Sequence, residues 1–348
     1  MANLIDKYLR IAVKQNASDL HLIVDKPPLL RIDGQLIELE NEAPLTSKTS
    51  KEIIYPIMTP LQRDRFEVDR ELDLSYEIKN LNRYRVNLHF ERDNVGLVAR
   101  VIPTIVPSME EIMMPQIGYD LTQMKDGLIL LTGPTGCGKS TTLASMIDLI
   151  NNQRAANIIT LEDPIEFSFK SEKSIVKQRQ LGSDIISFSE ALKHIVRQDP
   201  NVIMVGEMRD LETISSAITL AETGHLVLAT LHTYNAAQTI DRIIDIFPSH
   251  QQSQIRMQIS MTLNGIISQR LIPKVGGGRI AVREILINTP ATSNLIRENK
   301  ISQIKTVIQT GSSAGMTTMD QDLKRLYEDK LITKETAMAY LLNPDAIK

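Results

Sequence analysis

Cysteine is almost missing from this 348-residue chain, which carries Cys137 alone. A single cysteine forms no internal disulfide and cannot build a zinc site from several thiolates. Charge of one sign is missing too. The 39 lysines and arginines stand against 42 aspartates and glutamates, a formal net charge of −3, so there is no electrostatic case for a nucleic-acid partner. No apolar run approaches the roughly 20 residues needed to cross a bilayer, and no direct membrane insertion is expected. Residues 1–13 mix acidic and basic side chains among their apolar ones, unlike a secretion leader, and the expected location is cytoplasmic. Internal repeats are not evident. Length and apolar content allow two ordinary globular domains.

What is present is organised around Gly127 to Ile150, GLILLTGPTGCGKSTTLASMIDLI. An apolar run, Leu128 to Leu131, suits a doubly covered parallel strand; a glycine-rich turn follows, and Leu143, Met146, Ile147 and Ile150 then recur at helical spacing. Gly133, Gly138, Lys139 and Ser140 satisfy G-x-x-x-x-G-K-[ST], and Gly136 adds a second place where backbone can approach a phosphate. With Pro134, Thr135, Cys137 and Thr141 they make an expected cradle for ATP at a helix N-terminus. Lys139 would neutralise phosphate oxygens, and the Ser140 hydroxyl would ligate Mg²⁺.

Before this motif, Leu4, Ile5, Tyr8, Leu9 and Ala12 mark a helix, and Leu20, Leu22 and Val24 alternate as a strand. Asp33-Gly34 reads as a hairpin turn. After a helical stretch from Ser47 to Phe66 come three period-two segments, Leu72 to Ile78, Tyr84 to Phe90 and Val95 to Val101, which predict an antiparallel sheet with flanking helices. One face of it carries Arg83, Arg85, Asn87 and His89. This reads either as a solvated face or as a basic surface meeting nucleotide or a neighbouring subunit. Pro103, Pro107 and Pro115 suggest a linker. The expected domains are residues 1–103 and 119–348, joined by a linker at 104–118.

Beyond the P-loop, short apolar strands alternate with helices, the signature of a parallel sheet. Ile158 to Leu161, Val202 to Val205 and Leu226 to Ala229 end in Glu162-Asp163, Glu207 and His232, groups expected to converge at the carboxyl ends of the strands. Ser187 to Gln198 opens with a Ser-x-x-Glu capping pattern, and Asp210 to Thr223 closes at Gly224. From about Thr289 the pattern is mostly helical, with glycine-rich breaks at 276–278 and 311–315. Glu207, after Val202-Ile203-Met204-Val205-Gly206, stands where a Walker B acid belongs, with Gly206 where many NTPases carry Asp. Glu162, Asp163 and Glu166 in LEDPIEF are the candidates to orient the attacking water. His225 and His232 flank one strand and are expected to sense phosphate or organise water.

The runs GPTGCGKSTT, EDPIE, RQDPNVIMVGEMRD and TGHLVLATLHT together resemble the four motif boxes of the secretion and type IV pilus ATPases, above all the pilus-retraction (twitching-motility, PilT-type) branch. SDLHL and VGGGR extend the resemblance over nearly the whole chain. It implies an α/β fold with a PAS-like α+β N-terminal domain, a RecA-like P-loop ATPase domain and a homohexameric ring. It also implies an ATP hydrolase that drives pilus retraction while gripping an inner-membrane platform protein, peripheral to that membrane. By position, Glu166 would be the general base, Glu207 the Walker B acid and a Mg²⁺ support, and His225 and His232 the His-box pair. Arg197, Arg209 and Arg242 would lie near nucleotide or at a subunit interface. Asn201 replaces the usual Asp, and Ser293 stands where the retraction segment has arginine. Two alternatives share the motifs: an accessory retraction ATPase working with a second pilus ATPase, and a type II secretion-like assembly ATPase.

Overall fold

The computed structural model of the chain describes residues 3–341 apart from residues 33 and 80. Contacts between Cα positions divide it into two units, residues 1–105 with 164–168, and residues 106–163 with 169–348.

The first unit runs α1 (Leu4–Lys14), β1 (Asp19–Leu22), β2 (Leu29–Ile32), β3 (Gln35–Glu38), α2 (Ser47–Ile54), α3 (Pro60–Asp69), β4 (Glu71–Ile78), β5 (Asn82–Glu91) and β6 (Asn94–Val101). Its six strands form one antiparallel sheet in the order β3-β2-β1-β6-β5-β4. Because side chains alternate along a strand, Leu20, Leu22, Leu30, Leu74, Val86, Leu88 and Leu97 share one face, which α1 covers with Ile5, Tyr8, Leu9 and Ala12. Leu4, expected on that stripe, points to solvent. The helical stretch after Ser47 is two helices. Thr46 and Thr59 each cap one with a reciprocal side-chain box. Of the expected Asp33-Gly34 turn, Asp33 lies outside the described residues, and Gly34 has a φ of +83°. The opposite face of the sheet is mixed in charge rather than basic. Arg83 pairs in register with Glu77 and Asn87 with Asp73, while the nearly buried Asp19 takes Arg100 at 2.9 Å and Arg31 at 3.9 Å.

The second unit runs α4 (Gln116–Thr122), β7 (Gly127–Thr132), α5 (Lys139–Gln153), β8 (Asn157–Glu162), β9 (Ile175–Gln180), α6 (Phe188–Ile195), β10 (Val202–Val205), α7 (Leu211–Glu222), β11 (Leu226–Leu231), α8 (Ala236–Asp245), α9 (Ser249–Thr262), β12 (Leu263–Pro273), β13 (Arg279–Ile287), α10 (Pro290–Arg297), α11 (Ile304–Thr310), α12 (Met319–Glu328) and α13 (Lys334–Tyr340). Seven strands form one sheet in the order β13-β12-β7-β11-β10-β8-β9, all parallel except β13. Both faces are buried. Leu128, Leu130, Ile203, Val205 and Val227 pack under α6 to α9, while Ile129, Leu131, Val202, Met204 and Leu228 pack under α4 and α5. This double burial is why these strands read as unbroken apolar runs.

One part of this unit differs from the sequence expectation, and a second is left unassigned by the sequence pattern. Met109 and Met114, in the stretch read as linker, are buried in the core beneath α4 and α5. Arg283 of β13 holds them there: its Nη1 donates to Met113 O at 3.0 Å and its Nη2 to Ile112 O at 2.8 Å. Burial pushes this guanidinium down to about 10. Second, Leu263 to Ile287 is a long hairpin, β12–β13, which turns through the glycines at 276–278 and carries α12 on Ile272, Ile280 and Val282.

Candidate nucleotide site

The loop between β7 and α5 has the backbone its glycines demand. Gly133 has a φ of +141°, and a Cβ there would lie 2.3 Å from Gln269 O, so no other residue fits. Gly136, at φ +77°, faces open space on the loop's outer side, where a Cβ would otherwise stand. Lys139 opens α5 and is only 8 % exposed. Its Nζ donates to Gly133 O at 2.8 Å and Pro134 O at 3.2 Å, so the ammonium lies over the loop's own carbonyls. Ser140 and Thr141 follow in the first helical turn, where backbone N–H groups have no partner within the helix.

Gln269 of β12, 1 % exposed, braces this loop, and sequence reasoning missed it. Its Nε2 donates to Cys137 O at 2.8 Å, and its Oε1 accepts from the Thr142 hydroxyl at 3.0 Å. No motif flags it, because its role depends on β12 lying beside β7. Cys137 itself is 3 % exposed. Burial raises its thiol pKa, and this outweighs Lys139, which alone would lower it. The thiol form is therefore favoured, although the residue lies at a helix N-terminus beside Lys139.

Parallel register sets the neighbours of the loop. Thr132 of β7 pairs with Leu231 of β11, and Ala229 pairs with Val205 of β10. Gly133, His232 and Glu207 consequently emerge from the same edge. Arg209 grips both Glu207 carboxylate oxygens, Nε to Oε1 and Nη2 to Oε2, each at 2.7 Å. His232 Nε2 stands 3.3 Å from Oε1. Burial pushes the Glu207 carboxyl up, but Arg209 and His232 outweigh it and hold it below the usual carboxylate range. Gly206 lies against β8, where a Cβ would come 3.1 Å from Leu161 O. A small residue suits that crowded position better than the aspartate common in NTPases.

The three acidic candidates at and after the end of β8 separate. Glu162 is buried, accepting from Thr160 Oγ1 at 2.6 Å and Gln178 Nε2 at 2.9 Å. Asp163 is exposed. Glu166 is exposed and belongs to residues 164–168, which group with the first unit; there Ser168 N donates to Pro103 O at 3.4 Å.

The two histidines are not brought together. His225 precedes β11 and His232 follows it, so a strand of six residues, about 20 Å, divides them. His225 does not stand at the crevice end with His232: its Nδ1 lies 2.9 Å from Leu220 O at the amino edge. Arg197 is exposed at that same edge, in the turn before β10. Arg242 is exposed in the last turn of α8. Of the three arginines only Arg209 meets the Glu207 cluster within one chain.

Residues 1–277 match the family described as Type II/IV secretion system protein. The chain is 49 % identical over 333 residues to the type IV pilus retractation ATPase PilT of Pseudomonas aeruginosa, covering 96 % of each. It is 44 % identical over 340 residues to the twitching motility protein of Neisseria gonorrhoeae, covering 97 % of this chain and 91 % of that one. Among solved structures, the pilus retraction motor PilT with bound ADP superposes with a TM-score of 0.92 at 44 % identity, covering 100 % of this chain and 99 % of the other.

Proposed function

The chain belongs to the Type II/IV secretion system protein family, and on that premise we propose that it hydrolyses ATP to power retraction of a type IV pilus. The observation that carries this reading is the edge at which Gly133, Lys139, Glu207 and His232 emerge together, in a chain similar from end to end to a retraction ATPase.

The N–H groups at the start of α5 and the Lys139 ammonium bind the phosphates. Lys139 leaves the Gly133 and Pro134 carbonyls to do so. The Ser140 hydroxyl and the Glu207 carboxylate would hold Mg²⁺, which takes oxygen donors of this kind. When bound, that ion would draw charge from the β- and γ-phosphate oxygens. His232, beside Glu207, organises water at the γ-phosphate. Glu166, by its place in the EDPIE segment, is the general base. Arg197, Arg242 and the first unit's Arg83 and Arg85 lie on exposed or half-exposed surfaces. They would serve a nucleotide across a subunit boundary, as arginines do in ring ATPases. The proposed assembly is accordingly a homohexamer.

No helix among the described residues is long and apolar enough to cross a membrane. The ring would work at the cytoplasmic side of the inner membrane and grip a membrane-embedded platform protein. Deleting the gene from a piliated host should leave excess surface pili and no twitching, and the restored gene should reverse both. Bald cells would assign extension instead.

A further inference from the structure

The Glu207–Arg209 pair is closed in a particular way. One guanidinium occupies both carboxylate oxygens at 2.7 Å, and His232 takes a second approach to Oε1. A bidentate fork of this kind is stronger than a single charged contact and fixes the orientation of the acid. The two partners differ in freedom. The Glu207 side chain is 20 % exposed, while that of Arg209 is 68 % exposed and reaches back from solvent.

The backbone around Arg209 is held on both sides. Gly206 N donates to Leu161 O at 2.7 Å and Met208 N to Thr230 O at 3.0 Å. Asp210 caps α7 through Thr213 N at 2.8 Å and the Thr213 hydroxyl at 2.8 Å. The fork can therefore open by rotation of one long, exposed side chain while the main chain stays still. A divalent cation and a guanidinium draw on the same two oxygens and repel each other, so each weakens the other's hold on Glu207.

We propose that Arg209 is a latch on Glu207: it satisfies the acid when the site is empty, and its displacement sets the Mg²⁺ concentration at which nucleotide is held tightly. This goes beyond a nucleotide-contacting arginine, because it predicts that removing the side chain makes Mg²⁺ binding easier. It rests on the assignment of Glu207 as the acid that supports Mg²⁺, and Arg209 is in this sense a positioning residue.

The test is the binding of a fluorescent ADP analogue to the purified full chain, titrated with Mg²⁺, for the wild type, Arg209→Gln, Arg209→Lys and Glu207→Gln. Thermal melting checks that each variant is folded. Arg209→Gln should lower the Mg²⁺ midpoint about two- to fivefold, the scale of a partly exposed ion pair. Arg209→Lys should fall between, since an ammonium cannot hold both oxygens in one fork. Glu207→Gln should raise the midpoint. A midpoint in Arg209→Gln that is unchanged or higher, alongside a raised midpoint in Glu207→Gln, overturns the latch and leaves Glu207's role intact. An unmoved midpoint in Glu207→Gln instead removes the assignment on which the latch rests.

Discussion

The carboxyl and amino edges of the seven-stranded sheet are formed by the same strands, yet their polar groups serve different ends. At the carboxyl edge, Gly133, Glu207 and His232 follow β7, β10 and β11 into a row, and their partners are side chains of that same row. At the amino edge the polar groups tie chain ends together. Asn157 Nδ2 donates to Gln198 O at 2.7 Å and Asp199 O at 2.6 Å, Asn201 Oδ1 accepts from Asn157 N at 2.8 Å, and His225 lies on Leu220 O. At Asn201 the amide oxygen ties the start of β8 to the start of β10, a bond that an aspartate oxygen would accept equally well. The difference teaches that a polar residue beside a parallel strand has a different meaning at each end, because only the carboxyl ends open onto the ligand crevice.

The largest expected effect tests the residue that this comparison leaves out. Glu166 lies in the segment grouped with the first unit, not in the carboxyl-edge row. As general base, Glu166→Gln should leave ATP affinity nearly intact and lower turnover ~10²-fold or more. Measured together, binding and turnover separate the base from its neighbours, and near-normal turnover would remove Glu166 from the chemistry.

A smaller effect is expected at Gln269, which joins the carboxyl edge to β12. Gln269→Leu keeps the volume but strands the Cys137 carbonyl and the Thr142 hydroxyl, at a cost of about 1–3 kcal/mol for unsatisfied buried groups. Because both groups belong to the loop and the first turns of α5, nucleotide affinity should fall roughly tenfold, consistent with a loss of ~1.4 kcal/mol. Thr142→Val in the same background should add little, since the bond it removes is already gone. An additive loss would show that the two act separately.

Much of this was legible in the chain. The P-loop, Glu207 and the three central strands announce themselves because local pattern and tertiary role coincide: an apolar run buried on both faces, ending in a polar turn. The three period-two segments of the first unit are legible for the complementary reason, since one of their faces is charged. What escaped depends on long-range neighbours. Gln269 looks like any polar residue in a strand until β12 is placed beside β7. The stretch at 106–114 looks like a proline-punctuated linker until Arg283 takes its carbonyls. His225 and His232 look like a pair only while the length of the strand dividing them is ignored.

The histidines sharpen the contrast between edges. His232→Ala should reduce turnover about tenfold or more at any protein concentration, because its partner Glu207 is in the same chain. His225→Ala should change turnover less at every protein concentration, as it lies at the far end of β11 from the Glu207 cluster of its own chain. Comparing both across a dilution series checks this; an equal loss in dilute protein would place the two residues in one site.

The smallest effect is predicted at Cys137, inside the loop but turned away from solvent. Its sulfur fills the space beneath Gly133, where it would stand 2.6 Å from an added Cβ, and burial keeps its thiol pKa above the ordinary value despite Lys139. The sign matters for reactivity: a raised pKa means that the thiol stays protonated through neutral pH, and alkylation speeds up only once the pH passes the usual thiol range. Iodoacetamide should therefore label the native protein far more slowly at pH 7 than it labels the guanidinium-unfolded chain. Cys137→Ala should bind nucleotide with an affinity within about threefold of the wild type, since a small residue still fits under Gly133 and the Cys137 carbonyl still accepts from Gln269. Rapid labelling of the folded protein at neutral pH would mean that the loop opens readily and that the buried sulfur is not its resting state.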